Sequence, residues 1–455
     1  MRYATINPTT NECLKKYAQH RWRQVETMLR KAKHGFAINR TAQFSVRSKR
    51  LKVVATLLLE RKEYYARLIS LEMGKPLKEA IGEVEKCALV CNYYADNAKI
   101  FLQDQVIKTN HRSSIVSHAP LGIILAVMPW NFPFWQFFRF AAPALMAGNA
   151  IFMKHAPNVP QCALAIVQIF EKAQFPEGIV QNLFIDAKKV RWLIEDERVK
   201  AITFTGSDTV GAKIAEISGR NIKKTVLELG GSDPFIVLQD ANLREAVKMA
   251  VVSRFRNAGQ SCIAAKRFIV AESVADGFIQ LLLEEIRQLK VGDPLHPDTD
   301  LGPLARADLL KNLERQVNDS LKLGAKLLIG GSRPVGSKGF FYNPTLLTKL
   351  DEDMPVYEEE VFGPVACVFT VPDAKAAVKM ANDTAYGLGA SIWTTDRERG
   401  IRLARQIEAG AVFINSLVRS SPSLPFGGVK RSGYGRELSE QGIKEFVNIK
   451  TLVVD

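Results

Sequence analysis

Apolar residues in the first quarter of the chain recur every three or four positions, the spacing of one face of an α-helix. Between about 25 and 98, for example, Leu51, Val54 and Leu58 share such a face, and polar residues separate them. Between 106 and 127 the pattern changes to β-rich runs, SSIVSHAP and GIILAVMPW, with a Pro-Leu-Gly turn between them. The pattern predicts amphipathic helices followed by a strand excursion over 104–120.

Beyond residue 121, short apolar runs alternate with segments of helical spacing. A first series comprises AIFMKHA, VQNLFI and KAITFTG, with helices predicted over 161–173, around 190–195 and from 207. A second series comprises PFIVL, RFIV, ACVFT, ASIWT and GAVFINS, with a helix near 277–289. Such alternation is typical of βαβ units. We therefore predict an α/β fold with two lobes built on parallel strands.

Length and composition agree with two lobes and narrow the functional classes. A chain of 455 residues exceeds what one hydrophobic core usually serves, and 47% hydrophobic with 24% charged residues is ordinary for a folded protein. The net charge is +15, but the basic residues are interleaved with acidic or apolar ones rather than grouped. This favours a solvated basic surface that attracts small anions over a nucleic-acid interface.

The sequence also bears on the cellular location of the protein and on whether it binds a metal ion. No apolar run approaches the roughly 20 residues that cross a bilayer, and no apolar stretch follows the first charges. We expect no membrane interaction and a cytoplasmic location. The six cysteines and six histidines lack zinc-ligand spacing, so we expect free thiols and no metal site.

Three polar residues are candidates for catalysis. Cys262 ends NAGQSC, where backbone N–H groups near a glycine would lower the thiol pKa, although a buried, inert cysteine is the commoner case. Glu228 ends an apolar strand before a Gly-Gly turn, where it would serve as a general base or simply be a surface carboxylate. Asn131 lies among aromatic residues and prolines as an oxyanion donor or a turn-forming residue.

The segment GSDTVG at 206–211 is a candidate nucleotide site. It follows the strand AITFT and opens a helix, so Gly206 permits close backbone approach and the helix N-terminus attracts phosphate. The segment is neither G-x-G-x-x-G nor a P-loop, and an ordinary helix cap explains it equally well.

Seven separated motifs together resemble the aldehyde dehydrogenase superfamily from about residue 7 to the C-terminus. These motifs are PWNFP, GNAIFMKHAP, FTGSDTVG, LELGG, GQSC, EEVFGP and LPFGGVKRSGYGRE. The resemblance implies that Cys262 attacks an aldehyde, that Asn131 and the Cys262 backbone N–H hold the oxyanion, and that hydride leaves for a nicotinamide. Glu228 then activates the water that cleaves a thioester.

The resemblance also assigns the cofactor residues. Lys154 and Glu360 would bind ribose hydroxyls, and Ser207 and Trp130 would face the pyrophosphate. The other candidate cofactor residues, taken from the same motifs, are Gly206, Gly211, Phe362 and Pro157.

Pro157 marks a departure from many NAD-preferring relatives. Those relatives carry a glutamate three residues after the lysine, whereas this chain reads Lys154-His155-Ala156-Pro157. Without that carboxylate there is less repulsion against a 2′-phosphate, so we hypothesise that NADP is accepted alongside or in preference to NAD.

Within the superfamily, the blocks MKHAPNVPQCAL and RFAAPALMAGN resemble bacterial succinate-semialdehyde dehydrogenases. Arg139 and Arg419 are cations near motifs expected at the substrate entrance, and either would pair with the distal carboxylate of succinic semialdehyde. Ser261 and Trp135 complete the candidate substrate residues. The alternative is that both arginines lie on the surface or between subunits.

The resemblance implies a Rossmann-like cofactor lobe at 1–103 and 121–230, a catalytic lobe at 231–429, and a small β oligomerisation element at 104–120 and 430–455. The β-prone C-terminal tail would otherwise leave an unpaired edge, so we expect a homodimer or homotetramer. Three alternatives remain open: a dehydrogenase of another small aliphatic or aromatic aldehyde, a cysteine hydrolase with an activating histidine, and a non-catalytic binding protein.

Overall fold

The computed structural model describes residues 3–455. The strands are β1 (Tyr3–Asn7), β2 (Glu12–Tyr17), β3 (Gln105–Val106), β4 (Ser113–Pro120), β5 (Ile123–Met128), β6 (Ala150–His155), β7 (Val180–Asn182), β8 (Val199–Thr205), β9 (Lys224–Glu228), β10 (Asp233–Val237), β11 (Ala265–Ala271), β12 (Lys326–Ile329), β13 (Thr345–Thr348), β14 (Val365–Val371), β15 (Tyr386–Gly387), β16 (Gly389–Trp393), β17 (Ala411–Ile414), β18 (Val429–Lys430), β19 (Gly433–Tyr434) and β20 (Val447–Val454).

The helices are α1 (Trp22–Thr41), α2 (Phe44–Glu60), α3 (Lys62–Met73), α4 (Leu77–Phe101), α5 (Trp135–Met146), α6 (Pro160–Lys172), α7 (Ala187–Glu195), α8 (Asp208–Arg220), α9 (Leu243–Phe255), α10 (Glu272–Arg287), α11 (Ala307–Lys322), α12 (Pro355–Glu358), α13 (Ala374–Asn382), α14 (Arg397–Ala404) and α15 (Ser439–Lys444). A 3-10 turn spans Arg256–Gly259.

The predicted N-terminal helices α1 to α4 are present and amphipathic. In α4, Val84, Ala88 and Cys91 recur at helical spacing and are buried, whereas Glu85 is exposed. Apolar residues at this spacing form one stripe along the helix, which packs against the neighbouring elements. The antiparallel hairpin β1–β2 precedes these helices.

The first lobe is built on a six-stranded sheet with the order β19-β9-β8-β5-β6-β7. The five strands β9, β8, β5, β6 and β7 are parallel, and the short β19 joins the edge antiparallel to β9. All six residues of β5 are buried. Continuous apolar strands are typical of a parallel sheet that is covered on both faces, as the sequence predicts here.

The second lobe is built on a seven-stranded sheet with the order β12-β13-β14-β11-β10-β16-β17. Six of these strands are parallel, and β12 pairs antiparallel with β13 at one edge. The α/β architecture with two mainly parallel sheets is thereby confirmed. The two lobes meet where the loop after β5 contacts the loop before β11: Asn131 in the first loop donates a hydrogen bond to the carbonyl oxygen of Gln260 in the second.

A third sheet of three strands has the order β20-β4-β3. Strand β20 pairs with β4 in continuous register from Val447–Pro120 to Val454–Ser113. Residues 430–446 do not belong to this sheet: Gly433 and Tyr434 pair with Glu228 and Leu227 of the first lobe. Within residues 3–455, no helix combines the length and apolar character that crossing a membrane requires.

Candidate active site

Candidate side chains from four neighbouring strands lie at the carboxyl edge of the six-stranded sheet. The residues in question are Trp130 and Asn131 after β5, Lys154 near the end of β6, Gly206 and Ser207 after β8, and Glu228 at the end of β9. Parallel strands β9, β8, β5 and β6 are adjacent in that order. Their carboxyl ends therefore meet at one edge, which is where open α/β sheets bind ligands.

Cys262 reaches this edge from the second lobe through a strained turn. Asn257, Ala258 and Gly259 have φ angles of 53°, 51° and 73°. A non-glycine residue in this region costs about 1–3 kcal/mol, so the surrounding contacts must hold the turn. At Gly259 a Cβ atom would lie 2.1 Å from the carbonyl oxygen of Gly363, which excludes any side chain there.

Two groups from elsewhere in the chain stabilise this turn. The Asn257 backbone N–H donates to the Glu79 carboxylate at 2.8 Å. The Arg254 guanidinium donates to the carbonyl oxygens of Gly259 at 2.8 Å and Gly363 at 2.7 Å. Both contacts involve a charged partner and are stronger than neutral hydrogen bonds.

Asn131 lies directly beside the cysteine loop. Its Nδ2 donates to the carbonyl oxygen of Gln260 at 3.1 Å, and Asn257 Nδ2 donates to the carbonyl oxygen of Asn131 at 2.9 Å. An amide NH₂ group has two donors, so one N–H of Asn131 is left for another acceptor. The Cys262 backbone N–H has no partner among residues 3–455. The pair has the chemistry of an oxyanion hole.

Glu228 is a buried carboxylate without a hydrogen bond. Its side chain is 2% exposed, and neither carboxylate oxygen has a partner among the described residues. Burial, together with the neighbouring Glu437, raises its pKa well above the usual value, and Arg139 and Arg436 oppose this rise. A carboxylate whose pKa is raised in this way is a stronger base than an exposed one whenever it is ionised.

The Cys262 thiol differs from the expectation drawn from its sequence context. Burial raises its pKa to about 12, and the nearby Arg139 and Lys266 only partly counter the effect. The predicted lowering of the thiol pKa was therefore wrong for the free enzyme. The reason is that the surrounding protein desolvates the sulfur, which the residues of NAGQSC do not reveal, and desolvation disfavours a thiolate.

A cavity beside Cys262 is lined by all four predicted substrate residues, Trp135, Arg139, Ser261 and Arg419. It encloses about 90 Å³, which suits a short aldehyde. Arg419 is exposed at its rim, and Trp135 is buried.

Arg139 has a different environment from the one that its position in the sequence suggested. It is 2% exposed, so it is neither a surface nor an inter-subunit arginine. Its Nε forms an ion pair with the buried carboxylate of Glu437. The same guanidinium opposes the rise in pKa at both Cys262 and Glu228. A charge already neutralised by a buried partner is poorly suited to bind a second carboxylate.

The predicted cofactor residues have surroundings that fit a dinucleotide. Lys154 is largely removed from solvent, has no ion-pair or hydrogen-bond partner within residues 3–455, and has its pKa lowered to about 8 by burial. A bound phosphate or ribose oxygen would satisfy it. Pro157 follows β6, and its carbonyl oxygen accepts a hydrogen bond from the N–H of Ala4 at 3.1 Å. Pro157 therefore lies near the same end of β6 as Lys154.

The remaining cofactor candidates form two groups. Gly206 and Ser207 precede α8, and a Cβ atom on Gly211 would lie 2.6 Å from a terminal methyl carbon of Leu229. Gly211 therefore brings the helix close to the end of the sheet. At the other end, Glu360 accepts the N–H of Gly231 at 3.1 Å. Phe362 meets Trp130 edge to face, with the ring centroids 5.9 Å apart.

Sequence reasoning missed Lys266, which contacts both the Cys262 loop and the cofactor candidate Glu360. Lys266 is 1% exposed and donates to the carbonyl oxygens of Ser261 at 2.9 Å and Cys262 at 2.7 Å. Its Nζ also lies 3.4 Å from Glu360. The only available signal was a lysine at the start of an apolar strand, where a buried charge needs partners.

Comparisons with known proteins agree with this geometry. The model of the aldehyde dehydrogenase family matches residues 1–452. A Synechocystis protein named probable succinate-semialdehyde dehydrogenase [NADP(+)] is 52% identical over 452 residues, 99% of either chain. A Mycobacterium tuberculosis protein named succinate-semialdehyde dehydrogenase [NADP(+)] 1 is 47% identical over 455 residues, also 99% of either chain.

Two solved structures are closely similar in fold. One is a succinic semialdehyde dehydrogenase from Streptococcus pyogenes in complex with NADP+, with a TM-score of 0.97, 40% identity and 99% of either chain covered. The other is a betaine aldehyde dehydrogenase from Staphylococcus aureus in complex with NAD+, with a TM-score of 0.96, 28% identity, and 100% of this chain and 91% of that chain covered. This chain belongs to the aldehyde dehydrogenase family.

Proposed function

We propose that this enzyme oxidises succinic semialdehyde to succinate with NADP as the preferred hydride acceptor. The observation that carries the proposal is the cavity that joins the Cys262 thiol to several cationic side chains. An aldehyde whose other end bears a carboxylate complements a cavity of this charge and size. The names of the two relatives above point to the same substrate and cofactor.

The chain's own residues account for each chemical step. The Cys262 thiol loses its proton to water, its Sγ attacks the aldehyde carbon, and the N–H groups of Asn131 and Cys262 hold the resulting oxyanion. Lys154, Ser207 and Glu360 would hold the dinucleotide, whose nicotinamide would supply the hydride acceptor needed to convert the adduct on Cys262 into a thioester. Glu228 then takes a proton from water, whose oxygen attacks the thioester carbon, and the Cys262 sulfur leaves and is reprotonated.

The contacts of Arg139 change its proposed role. Because its guanidinium is paired with Glu437, we assign Arg139 to the electrostatic support of Cys262 and Glu228. Arg419 has no ion pair within residues 3–455 and remains a candidate for the substrate carboxylate.

NADP is proposed on the basis of Lys154 and Pro157. Lys154 forms no ion pair within residues 3–455 and is partly desolvated, and Pro157 adds no carboxylate beside it. Both features favour a 2′-phosphate, whose charge would pair with the lysine.

A cysteine hydrolase is the less well supported alternative. None of the described residues that line the cavity is a histidine. His155 is fully buried and shares a hydrogen bond with the carbonyl oxygen of Pro133. No observation favours a non-catalytic binding protein.

Steady-state kinetics with matched substrates test the proposal. Succinic semialdehyde and butanal have the same carbon chain and differ in the distal carboxylate. We expect kcat/KM with NADP to be at least about tenfold higher for succinic semialdehyde, since one charge-assisted contact contributes about 1.5–3 kcal/mol. Equal values for the two aldehydes would contradict the substrate assignment, and a strong preference for NAD would contradict the cofactor assignment.

A further inference from the structure

Positively charged side chains outnumber negatively charged ones in the lining of the catalytic cavity. Four cations line it, namely Lys86, Arg139, Arg256 and Arg419, against the single carboxylate of Glu83. Two of these five charges are neutralised within the protein by partners outside the lining. Arg139 is paired with Glu437, as described above.

Glu83 is likewise unavailable to the cavity cations. Its carboxylate forms a buried ion pair with Lys75 and accepts the backbone N–H groups of Phe134 at 2.9 Å and Trp135 at 3.0 Å. Among residues 3–455, the other three cavity cations form no ion pair, namely Lys86, Arg256 and Arg419, although the Arg256 charge acts on the buried Glu79.

Lys86 differs from the other two in being fixed and partly buried. Arg256 and Arg419 are exposed, so water screens their charges. Lys86 projects from α4, and its Nζ donates to the buried Ser420 hydroxyl at 2.8 Å. The same Nζ lies 4.0 Å from the centroid of the Trp135 ring. A lysine has three N–H donors, so two of them have no hydrogen-bond partner within the described chain.

We propose that Lys86, held between Ser420 and Trp135, binds the substrate carboxylate at the end opposite the aldehyde and thereby sets the specificity of the enzyme. The inference rests on the proposed function, because it presupposes an aldehyde with a distal carboxylate. The ammonium group is already oriented before substrate enters, so little side-chain entropy is lost on binding. Arg419 at the rim attracts the anion, and Lys86 receives it inside the cavity.

The surroundings of Lys86 predict a dependence of binding on pH. Burial lowers its pKa to about 7, and the positive charges of Arg256 and Arg139 act in the same direction. Cys87 and Glu83 on α4 oppose the effect, and Arg419 is the remaining charged group on the facing loop. Only the protonated amine pairs with a carboxylate, so affinity for a carboxylated aldehyde is full well below pH 7 and is lost as the pH rises through about 7.

Steady-state kinetics of Lys86→Met, Lys86→Arg and the wild-type enzyme test the proposal. In Lys86→Met, we expect KM for succinic semialdehyde to rise about tenfold to a hundredfold, with kcat nearly unchanged, since a charge-assisted contact of this kind is lost. KM for butanal should change less than about twofold. Lys99→Met, which alters an exposed lysine on the same helix, is the matched control and should behave as wild type.

The Arg variant supplies a second signature. From about pH 6.5 to pH 9, KM for succinic semialdehyde should rise in the wild-type enzyme and stay nearly constant in Lys86→Arg, whose guanidinium remains charged. A structural role for Lys86 would alter KM for both aldehydes equally.

Two failures are distinguishable. If the wild-type enzyme does not prefer succinic semialdehyde over butanal, the proposed function is wrong and the role of Lys86 is wrong with it. If the wild-type preference holds but Lys86→Met retains it, only the assignment of Lys86 is overturned. Loss of activity toward both aldehydes in Lys86→Met would also contradict a role limited to the carboxylate.

Discussion

At the scale of single residues, the site is assembled from side chains whose partners are remote in sequence. The motifs predicted that Cys262, Glu228 and Asn131 act together, and the fold brings them to one edge of a sheet. Contacts such as Lys266 to Glu360 were not predictable, because nothing in one sequence reports which distant groups meet. The pKa of Cys262 was predicted in the wrong direction for a related reason: local composition does not reveal burial.

The raised pKa of the thiol leads to a prediction for the free enzyme. Far below its pKa of about 12, the thiolate fraction grows about tenfold for each pH unit. We therefore expect alkylation of Cys262 by iodoacetamide, followed by peptide mass spectrometry, to accelerate steeply between about pH 7 and pH 9 without reaching a plateau. The exposed Cys13 serves as an internal reference. A plateau near neutral pH would mean that the site stabilises the thiolate before any ligand binds.

A second residue-scale prediction concerns the choice of cofactor. In Pro157→Glu, a carboxylate would stand near the unpaired Lys154 and repel a 2′-phosphate. We expect kcat/KM for NADP to fall about tenfold or more, while the value for NAD changes little. Pro157→Gln has the same size without the charge and should leave the ratio of the two cofactors nearly unchanged. An equal loss with both cofactors in Pro157→Glu would point to damage to the backbone instead.

At the scale of secondary structure elements, periodicity predicted the helices and parallel strands of both lobes. The family resemblance, and not periodicity, grouped residues 430–446 with the C-terminal tail, and that division into domains stays a prediction. There β19 pairs with β9 and leaves only 447–454 for the third sheet. A two-residue strand has no periodicity to detect, and its partner is set by tertiary structure. The strained turn at 256–259 was equally invisible, since left-handed Asn257 and Ala258 depend on contacts with other elements.

That turn is held in part by α4, which leads to an element-scale prediction. Replacing Glu79 by Ala removes the acceptor for the Asn257 N–H. We expect the free energy of unfolding in urea to fall by about 1–3 kcal/mol, and kcat to fall more than KM changes, because the Cys262 loop and Asn131 lose their alignment. Glu85→Ala, at an exposed position of the same helix, is the control. Unchanged kcat in Glu79→Ala would show that the turn holds without this contact.

At the scale of the whole molecule, length and strand alternation predicted two lobes, and the three-stranded sheet lies apart from both of their sheets. Four apolar side chains of β20 are at least 42% exposed: Ile449, Leu452, Val453 and Val454. Apolar strands left open in this way favour association, so we propose that this sheet mediates assembly into a homodimer or homotetramer.

Light scattering after gel filtration tests the assembly. We expect the variant with both Leu452→Lys and Val454→Lys to have a lower molar mass than the wild-type enzyme, because buried lysines would disrupt the interface. The paired change Lys375→Met and Lys379→Met, on the distant helix α13, should leave the mass unchanged. An unaltered mass in the β20 variant would place the interface elsewhere.

The most direct test of the whole account is to trap the acyl group on Cys262. In Glu228→Gln, attack by water is impaired, so mixing this variant with succinic semialdehyde and NADP should give a single burst of NADPH. Rapid quenching and peptide mass spectrometry should then show a succinyl group on Cys262, which Cys262→Ala would abolish together with the burst. Steady turnover at the wild-type rate without an adduct, or an adduct on another cysteine, would contradict the account.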